Sequence, residues 1–471
     1  MAPLIVAIVA CGTLAFGAVY PWAYLPLYAA AALIGMAGLV RGGVRRSMRP
    51  LALALLLVWA AGAAQLLPLP RATLESISPA TAALLQNYSF SYAEAERAPL
   101  SVDPAATRRA LLAFAALALY TLGLPSLLSS QSLRSLPRLL AVFAIPLALF
   151  SIYARETQNG LLYWIWKPLE GMGHNQFGPF INRNHYGGWM LMTLCLLIGW
   201  LIGEIERSRS GRRAGRSRLV AWLSSAEANR AALMAVAVLV GALSLFWTLS
   251  RSSILCFGLA ALTFAWLAMT RGRLGTTRRM AAAAGLGGIL VAGVAWRGPV
   301  RLVEWFQDNN LSSRLDAWRD GWDVIRAFPW TGTGLNTYGV SMLFYQSRNP
   351  DVFMSRAHND YVQFLAEGGA LMAVPAILAA GALALAIRRN LRAAHLEARG
   401  YWIRTAGAVG LLAITAQESL EFSLQIPVNA FLFCTLAALA LTPPPAGSDQ
   451  PPRPRDTIPG KKASDVTLPS L

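Results

Sequence analysis

Residues 362–399 read VQFLAEGGALMAVPAILAAGALALAIRRNLRAAHLEAR, and this stretch decides the fold. Residues 362–387 carry a single charge, Glu367, in an otherwise apolar run. Crossing a bilayer takes about 20 such residues. No water serves the backbone inside hydrocarbon, so the run must close its own hydrogen bonds as a helix. It then stops in a basic loop, 388–399, with Arg388, Arg389, Arg392 and Arg399 against one acid, Glu397. A helix that ends in clustered arginines predicts a cytoplasmic end.

Eleven further apolar runs repeat the pattern outward: 3–20, 22–40, 51–68, 109–128, 137–153, 187–205, 231–249, 253–270, 280–296, 401–420 and 424–442. The first lacks a convincing cleavage site and reads as a retained helix, with Tyr20-Pro21-Trp22 as an interfacial turn. Twelve spans place four basic loops on one side. They are 41–49 (Arg41, Arg45, Arg46, Arg49), 207–218 (Arg207, Arg209, Arg212, Arg213, Arg216, Arg218), 271–279 (Arg271, Arg273, Arg278, Arg279) and 388–399. A miscounted span would scatter these arginines over both faces. Both termini are therefore expected in the cytoplasm. The fold class expected is an all-α polytopic membrane protein of about 12 helices, one membrane domain over 1–442. A polar, proline-rich tail, 443–471, is expected to be disordered.

Composition agrees. The chain has 471 residues, 55% hydrophobic and only 14% charged, with mean hydropathy +0.46. These values exclude a soluble enzyme, a disordered chain and a fibre. The formal charge of +18 would suggest nucleic acid in a soluble protein. Here the four loops absorb it, and no nucleic-acid partner is expected. Of the basic residues only Lys167, Lys461 and Lys462 are lysine. The four cysteines, Cys11, Cys195, Cys256 and Cys434, sit in apolar runs without metal-ligand spacing and read as core residues.

The opposite side carries three long segments, 69–108, 154–186 and 297–361. Within the last, nearly balanced in charge, Ser313 to Phe328 reads as a helix capped by Ser312 or Ser313. Leu315, Trp318, Trp322 and Ile325 form its apolar stripe, suited to a membrane surface.

Ionisable groups at span ends are functional candidates. Arg251 lies among serines between two spans, and two readings fit: a snorkelling anchor, or a fork that grips phosphate. The segment 180–188 holds Asn182, Arg183, Asn184 and His185, either a hydrogen-bonded helix cap or a ligand donor set. His174-Asn175 nearby reads as ordinary loop. Next come Arg356, His358, Asn359 and Asp360 at the mouth of the span at 362. His358 is either structural or a proton acceptor for a hydroxyl, and Asn359 can orient a sugar or phosphate. Glu367, nine residues on, is expected at another depth. Glu418 and Glu421 are three apart, share a helical face, and can pair with arginine or bind a cation or sugar. His395, in a basic loop, is expected to have no role. The sequence carries no Walker A loop, nucleotide fingerprint or zinc spacing. A donor on this side would have to arrive on a lipid, and arginines plus a histidine suit a lipid diphosphate.

Residues 180–370 resemble the O-antigen ligase and polymerase family of bacterial inner-membrane glycosyltransferases. The likeness lies in Arg251-Ser-Ser-Ile-Leu255, in Arg314-Leu315-x-x-Trp318, in Pro329-Trp330-x-Gly332-x-Gly334, and in His358-Asn359 followed after nine residues by Gly369. Phe180 to His185 resembles a segment common in the family. The resemblance implies a large periplasmic loop, about 297–361. It implies transfer of a glycan from undecaprenyl diphosphate to a hydroxyl of lipid A–core, without metal or cofactor. Arg251 and Arg314 resemble the diphosphate-holding arginines, and His358 the histidine that activates the acceptor. Arg183, His185, Asn359 and Glu418 are further substrate-binding candidates. The alternative within the family is a polymerase of O-antigen or exopolysaccharide, whose acceptor is a second lipid-linked repeat. Transfer to a protein side chain is a third enzymatic reading. A transporter or flippase would instead place polar groups at mid-membrane, whereas these gather at span ends.

Overall fold

A computed structural model describes residues 1–168, 175–210, 226–271, 310–348, 352–394 and 398–444. The chain is an all-α polytopic membrane protein. Eleven helices occupy the positions of predicted spans: α1 (Ala2–Leu14), α2 (Pro21–Gly42), α3 (Arg49–Ala64), α6 (Pro104–Leu127), α7 (Ser130–Thr157), α8 (Arg183–Ser210), α9 (Ala226–Trp247), α10 (Arg251–Thr270), α13 (Asp360–Ala394), α14 (Ala398–Gln417) and α15 (Pro427–Leu441). Among the described residues eight helices are long and apolar enough to cross a membrane, while α1 and α15 are shorter apolar helices. The expected span 280–296 lies outside the described residues. So do His174, His395, Glu397, much of the loops at 207–218 and 271–279, and the tail beyond 444.

Local chemistry sets the helix starts. Proline stands at the first turn of α1, α2, α3, α6 and α15, where its missing N–H costs nothing. Asp103 caps α6 by accepting from the amides of Ala105 and Ala106. Helix α8 is the central element, buried nearly all round from His185 to Trp200, and it packs against α7, α9, α10 and α14. At the periphery α2 lies along α6 with backbones in contact, and a Cβ at Gly38 would fall 2.1 Å from the carbonyl oxygen of Gly123. Small residues permit such close approach where lipid supplies no hydrophobic drive. Leu33, Leu112, Leu262 and Ile377 are exposed at mid-helix, as lipid-facing residues must be.

Polar side chains collect at two opposite ends of the bundle. At one end Glu204 of α8 meets Arg399, whose Nε lies 2.6 Å away, and Glu206 accepts from Trp402 Nε1 at 2.6 Å and Arg271 Nε at 3.2 Å. Arg404, almost fully buried, closes the end of α15 by donating to the carbonyls of Thr442 and Pro443. Such buried charges persist only when paired. Arg207, Arg271 and Arg399, from three of the four basic loops, thus share one end. The starts of α8, α10 and α13 and the close of α14 share the other.

That second end carries a cap of short elements. Helices α4 (Arg71–Ile77) and α5 (Pro79–Tyr88) lie beside the paired strands β1 (Leu69–Pro70) and β2 (Arg97–Ala98). Opposite them are α11 (Asn310–Ala327) and α12 (Tyr338–Tyr345). The expected stripe of α11 is not the face turned into the protein. Leu315 and Trp322 are exposed, and the buried face is Ala317, Asp320, Val324 and, just beyond the helix, Phe328. Asp320 is buried because it binds Arg348 and Ser347, so a charge sits on the inward face that hydropathy alone assigns outward. The helix also starts at Asn310, leaving Ser312 and Ser313 inside it rather than at its cap.

Candidate functional site

Four chain segments converge at the capped end. The first is the close of α14. The helix stops at Gln417, and residues 418–420 form a turn before a short 3-10 helix, Ser423–Gln425. That early stop separates the two glutamates expected to share a face. Glu418 turns toward α13: its Oε2 accepts from Leu424 N at 3.3 Å and its carbonyl accepts from Asp360 N at 2.9 Å. Burial, reinforced by the Asp360 charge, lifts the Glu418 carboxyl well above the ordinary range. Glu421 turns the other way, into the centre of the site.

The second segment is α11. Arg314 and Trp318 are one turn apart and share a face. Arg314 Nη2 donates to Glu421 Oε1 at 2.5 Å, and Trp318 Nε1 donates to the carbonyl of Ala357 at 2.9 Å. The third is the loop before α13. His358 has φ +50, a left-handed conformation costly for a residue with a Cβ. It is held from both sides. The amide of Ala357 donates to Gln363 Oε1, and Asn359 caps α13 by accepting from the amides of Tyr361 and Val362 at 3.0 and 3.2 Å. His358 Nδ1 then lies 3.6 Å from Glu421 Oε2. The fourth is the start of α8. Asn184 Nδ2 donates to Glu421 Oε1 at 2.7 Å. His185 is buried, and Phe422 stands between it and His358, edge-on to both rings at 4.6 and 4.9 Å.

Glu421 is therefore the hub. Its side chain is 1% exposed, while those of Arg314 and His358 are 23% and 28% exposed. The carboxylate is hidden and the two cation-forming groups reach outward. Burial alone would raise the Glu421 carboxyl; the facing imidazole of His358 and the Arg314 charge more than offset it and hold it below the ordinary 4.5.

Arg251 enters from a neighbouring turn. Leu249 takes φ +56, which ends α9 and lets α10 begin at Arg251. Ser250 and Ser253 hydroxyls lie 2.8 Å apart, and Gln417 Nε2 bridges Ser253 Oγ at 3.1 Å and Ser423 Oγ at 3.2 Å. Arg251 thus opens a helix whose first turn is hydrogen-bonded to the turn that carries Glu421. Arg183 opens α8, its amide donating to the carbonyl of Asn175 at 2.6 Å.

Of the residues singled out from sequence, Arg314, His358 and the Asn184 segment are brought together around one carboxylate. Asn359 acts locally as a helix cap, Glu418 faces Asp360, and His185 is a buried neighbour. Glu421 was visible only as one of two acids. Asn184 was one amide in a polar run. Gln417 and Asp360, which tie the segments together, carried no sequence signal beyond their polarity.

A second constellation supports the loop. Glu367 accepts from the amides of Asn336 at 2.7 Å and Tyr338 at 3.1 Å. Gln65, fully buried, donates to the carbonyls of Thr331 at 2.7 Å and Glu367 at 2.8 Å. Among the described residues no group of three or more His, Cys, Asp and Glu side chains is arranged to hold a metal ion. The arrangement offers the Arg314 guanidinium for a polyanion and the His358 imidazole for a proton.

The model of the O-antigen ligase family matches residues 236–377. The matched stretch contains Arg251, Arg314, His358 and Gly369 and ends before Glu421. No curated protein matches the chain. The resemblance read from the motifs is borne out over that stretch.

Proposed function

We propose that this chain, a polytopic membrane protein carrying the O-antigen ligase family match, is a glycosyltransferase with an undecaprenyl-diphosphate-linked glycan as donor. The acceptor is a hydroxyl of lipid A–core, and the reaction takes place at the periplasmic face of the bacterial inner membrane. The observation that carries this reading is the convergence of Arg314 and His358, side by side and part-exposed, on one buried carboxylate. The lean toward ligase rests on His358-Asn359 with Gly369 after nine residues.

In the proposed reaction the acceptor oxygen attacks the anomeric carbon. The bond from that carbon to the diphosphate oxygen breaks, with inversion, and the acceptor proton passes to His358. Arg251 and Arg314 stabilise the charge that grows on the leaving diphosphate. A diphosphate leaves readily, so no general acid is required. Beside the site lies room for a lipid. An apolar cleft of about 1170 Å³ runs between α3, α6, α13, α14 and α15, from Thr415 and Leu424 near Glu418 to Arg388 and Arg392. Its walls, Leu51, Phe114, Leu383 and Leu411 among them, suit a polyprenyl chain.

The test is reconstitution with defined undecaprenyl-diphosphate glycan and two acceptors, lipid A–core and a second lipid-linked repeat. Extension of lipid A–core supports the ligase. Extension of the second repeat alone makes the protein a polymerase, and extension of neither overturns the reading. His358→Ala and Arg314→Ala are expected to abolish transfer while the protein stays folded in the membrane.

A further inference from the structure

We infer that Glu421 is a positioning residue that fixes the tautomer of His358, placing the proton on Nδ1 and leaving Nε2 as the base toward the acceptor. This rests on the function proposed above. Two buried side-chain atoms without a hydrogen-bond partner, Glu421 Oε2 and His358 Nδ1, face each other at 3.6 Å. The other carboxylate oxygen is taken, by Arg314 at 2.5 Å and Asn184 at 2.7 Å. Oε2 is thus the oxygen available to the imidazole. An ionised carboxylate only accepts, so the nitrogen facing it must carry hydrogen, and a neutral imidazole then keeps its lone pair on the far nitrogen. Catalytic contacts are often long in unliganded sites and tighten when substrate binds.

Access agrees with this assignment. Nδ1 is buried while the His358 side chain is 28% exposed, so the opposite edge of the ring is the accessible one. Glu421 itself is 1% exposed and cannot touch substrate. Phe422, edge-on to the ring at 4.9 Å, limits its rotation. The same carboxylate holds Arg314, so one buried group aligns a donor-binding cation and an acceptor-activating base.

Glu421→Gln separates these two duties. The amide oxygen can still accept from Arg314 and Asn184, but its NH2 would face Nδ1 as a donor and drive the proton to Nε2. The equivalent acid-to-amide change in a Ser-His-Asp triad costs about 10⁴ in kcat through the wrong tautomer. The expected result here is a fall in kcat of about 10²–10⁴ with donor KM within about threefold. The direct readout needs no activity: ¹⁵N-histidine spectra of the purified protein at pH 8, with the His358 signal assigned by its loss in His358→Ala. The wild-type spectrum should show Nε2 unprotonated, and Glu421→Gln should show Nδ1 unprotonated. Glu421→Asp, which keeps the carboxylate, should retain the wild-type tautomer and recover part of kcat, and it carries the test if the Gln variant fails to fold. An unprotonated Nδ1 in the wild type, or a tautomer unchanged in Glu421→Gln, overturns the inference even if kcat falls. Full activity of His358→Ala would instead sink the proposed reaction and leave the tautomer measurement standing.

Discussion

His358 and the two arginines differ in how they are held, and that difference predicts how they fail. Arg314 is anchored by Glu421, so its removal leaves a buried carboxylate with one cation fewer, a loss that reaches the imidazole as well. Arg251 begins a helix at a serine-rich turn, and its removal should lower diphosphate affinity. Arg251→Ala is expected to weaken binding of undecaprenyl diphosphate about tenfold or more, equivalent to about 1.4 kcal/mol. Arg251→Lys should recover only part of it, since an ammonium lacks the bidentate fork. Titration of the purified variants with the lipid diphosphate decides, and unchanged affinity in Arg251→Ala returns the residue to the role of a helix-start anchor. Acid offers a second probe at this scale. The Glu421 carboxyl is held below the ordinary 4.5, so its contribution to stability is fully present above that value. It is lost as pH falls through the lower, folded-state value. The difference in thermal stability between wild type and Glu421→Gln should persist down to about pH 5 and shrink below 4.5. A difference that already fades between pH 7 and 5 would contradict the lowered value.

At the scale of elements the spacing motifs acquire a mechanical reason. Gly369 follows Asn359 after nine intervening residues because α13 is interrupted there, at φ +55 and ψ −163, a conformation that only glycine adopts freely. The loop 329–334 docks into the interruption: the amides of Ala370 and Leu371 donate to the carbonyls of Pro329 and Trp330 at 2.9 Å. A Cβ on Gly369 would meet the amide nitrogen of Gly332 at 2.6 Å. Gly369→Ala should therefore cost about 1–3 kcal/mol from backbone strain alone, with more from the clash. It should also lower transfer activity by displacing the loop that joins α11 to α12. Thermal unfolding and transfer assays on the same preparation test this, and wild-type values for both would mean that the break does not position the loop. The sequence showed the glycines and the histidine but not the break, since helical periodicity continues through it. It likewise placed Glu418 and Glu421 on one face, because nothing local announces that α14 stops at Gln417. Gln417 and Gln65 escaped for a related reason. A buried amide that ties four segments together looks, in one dimension, like any polar residue near the end of an apolar run.

For the whole molecule the legible part was the bundle, because lipid imposes length and hydropathy on every span, and the clustered arginines marked one end of it. Arg207, Arg271 and Arg399 do gather at one end, away from Arg314 and His358. The positive-inside rule predicts that the arginine end faces the cytoplasm, and sidedness decides the chemistry. A site on the cytoplasmic side would have soluble nucleotide donors within reach, whereas one on the far side must draw its donor from the membrane. Single cysteines settle the point. In a background with Cys11, Cys195, Cys256 and Cys434 replaced, Phe353→Cys lies in an exposed position five residues before His358, Arg389→Cys in an exposed position near the end of α13, and Gly43→Cys in an exposed position just after α2. A membrane-impermeant maleimide should label Phe353→Cys in cells with a permeabilised outer membrane. It should reach Arg389→Cys and Gly43→Cys only after lysis. The reverse pattern would invert the bundle and place Arg314 and His358 among cytoplasmic nucleotides, removing the physical argument for a lipid-linked donor. Labelling of Phe353→Cys and Arg389→Cys together in intact cells would mean an even number of membrane crossings between them. With 362–387 the one apolar run between the two positions, that result would require α13 to re-enter the face it left.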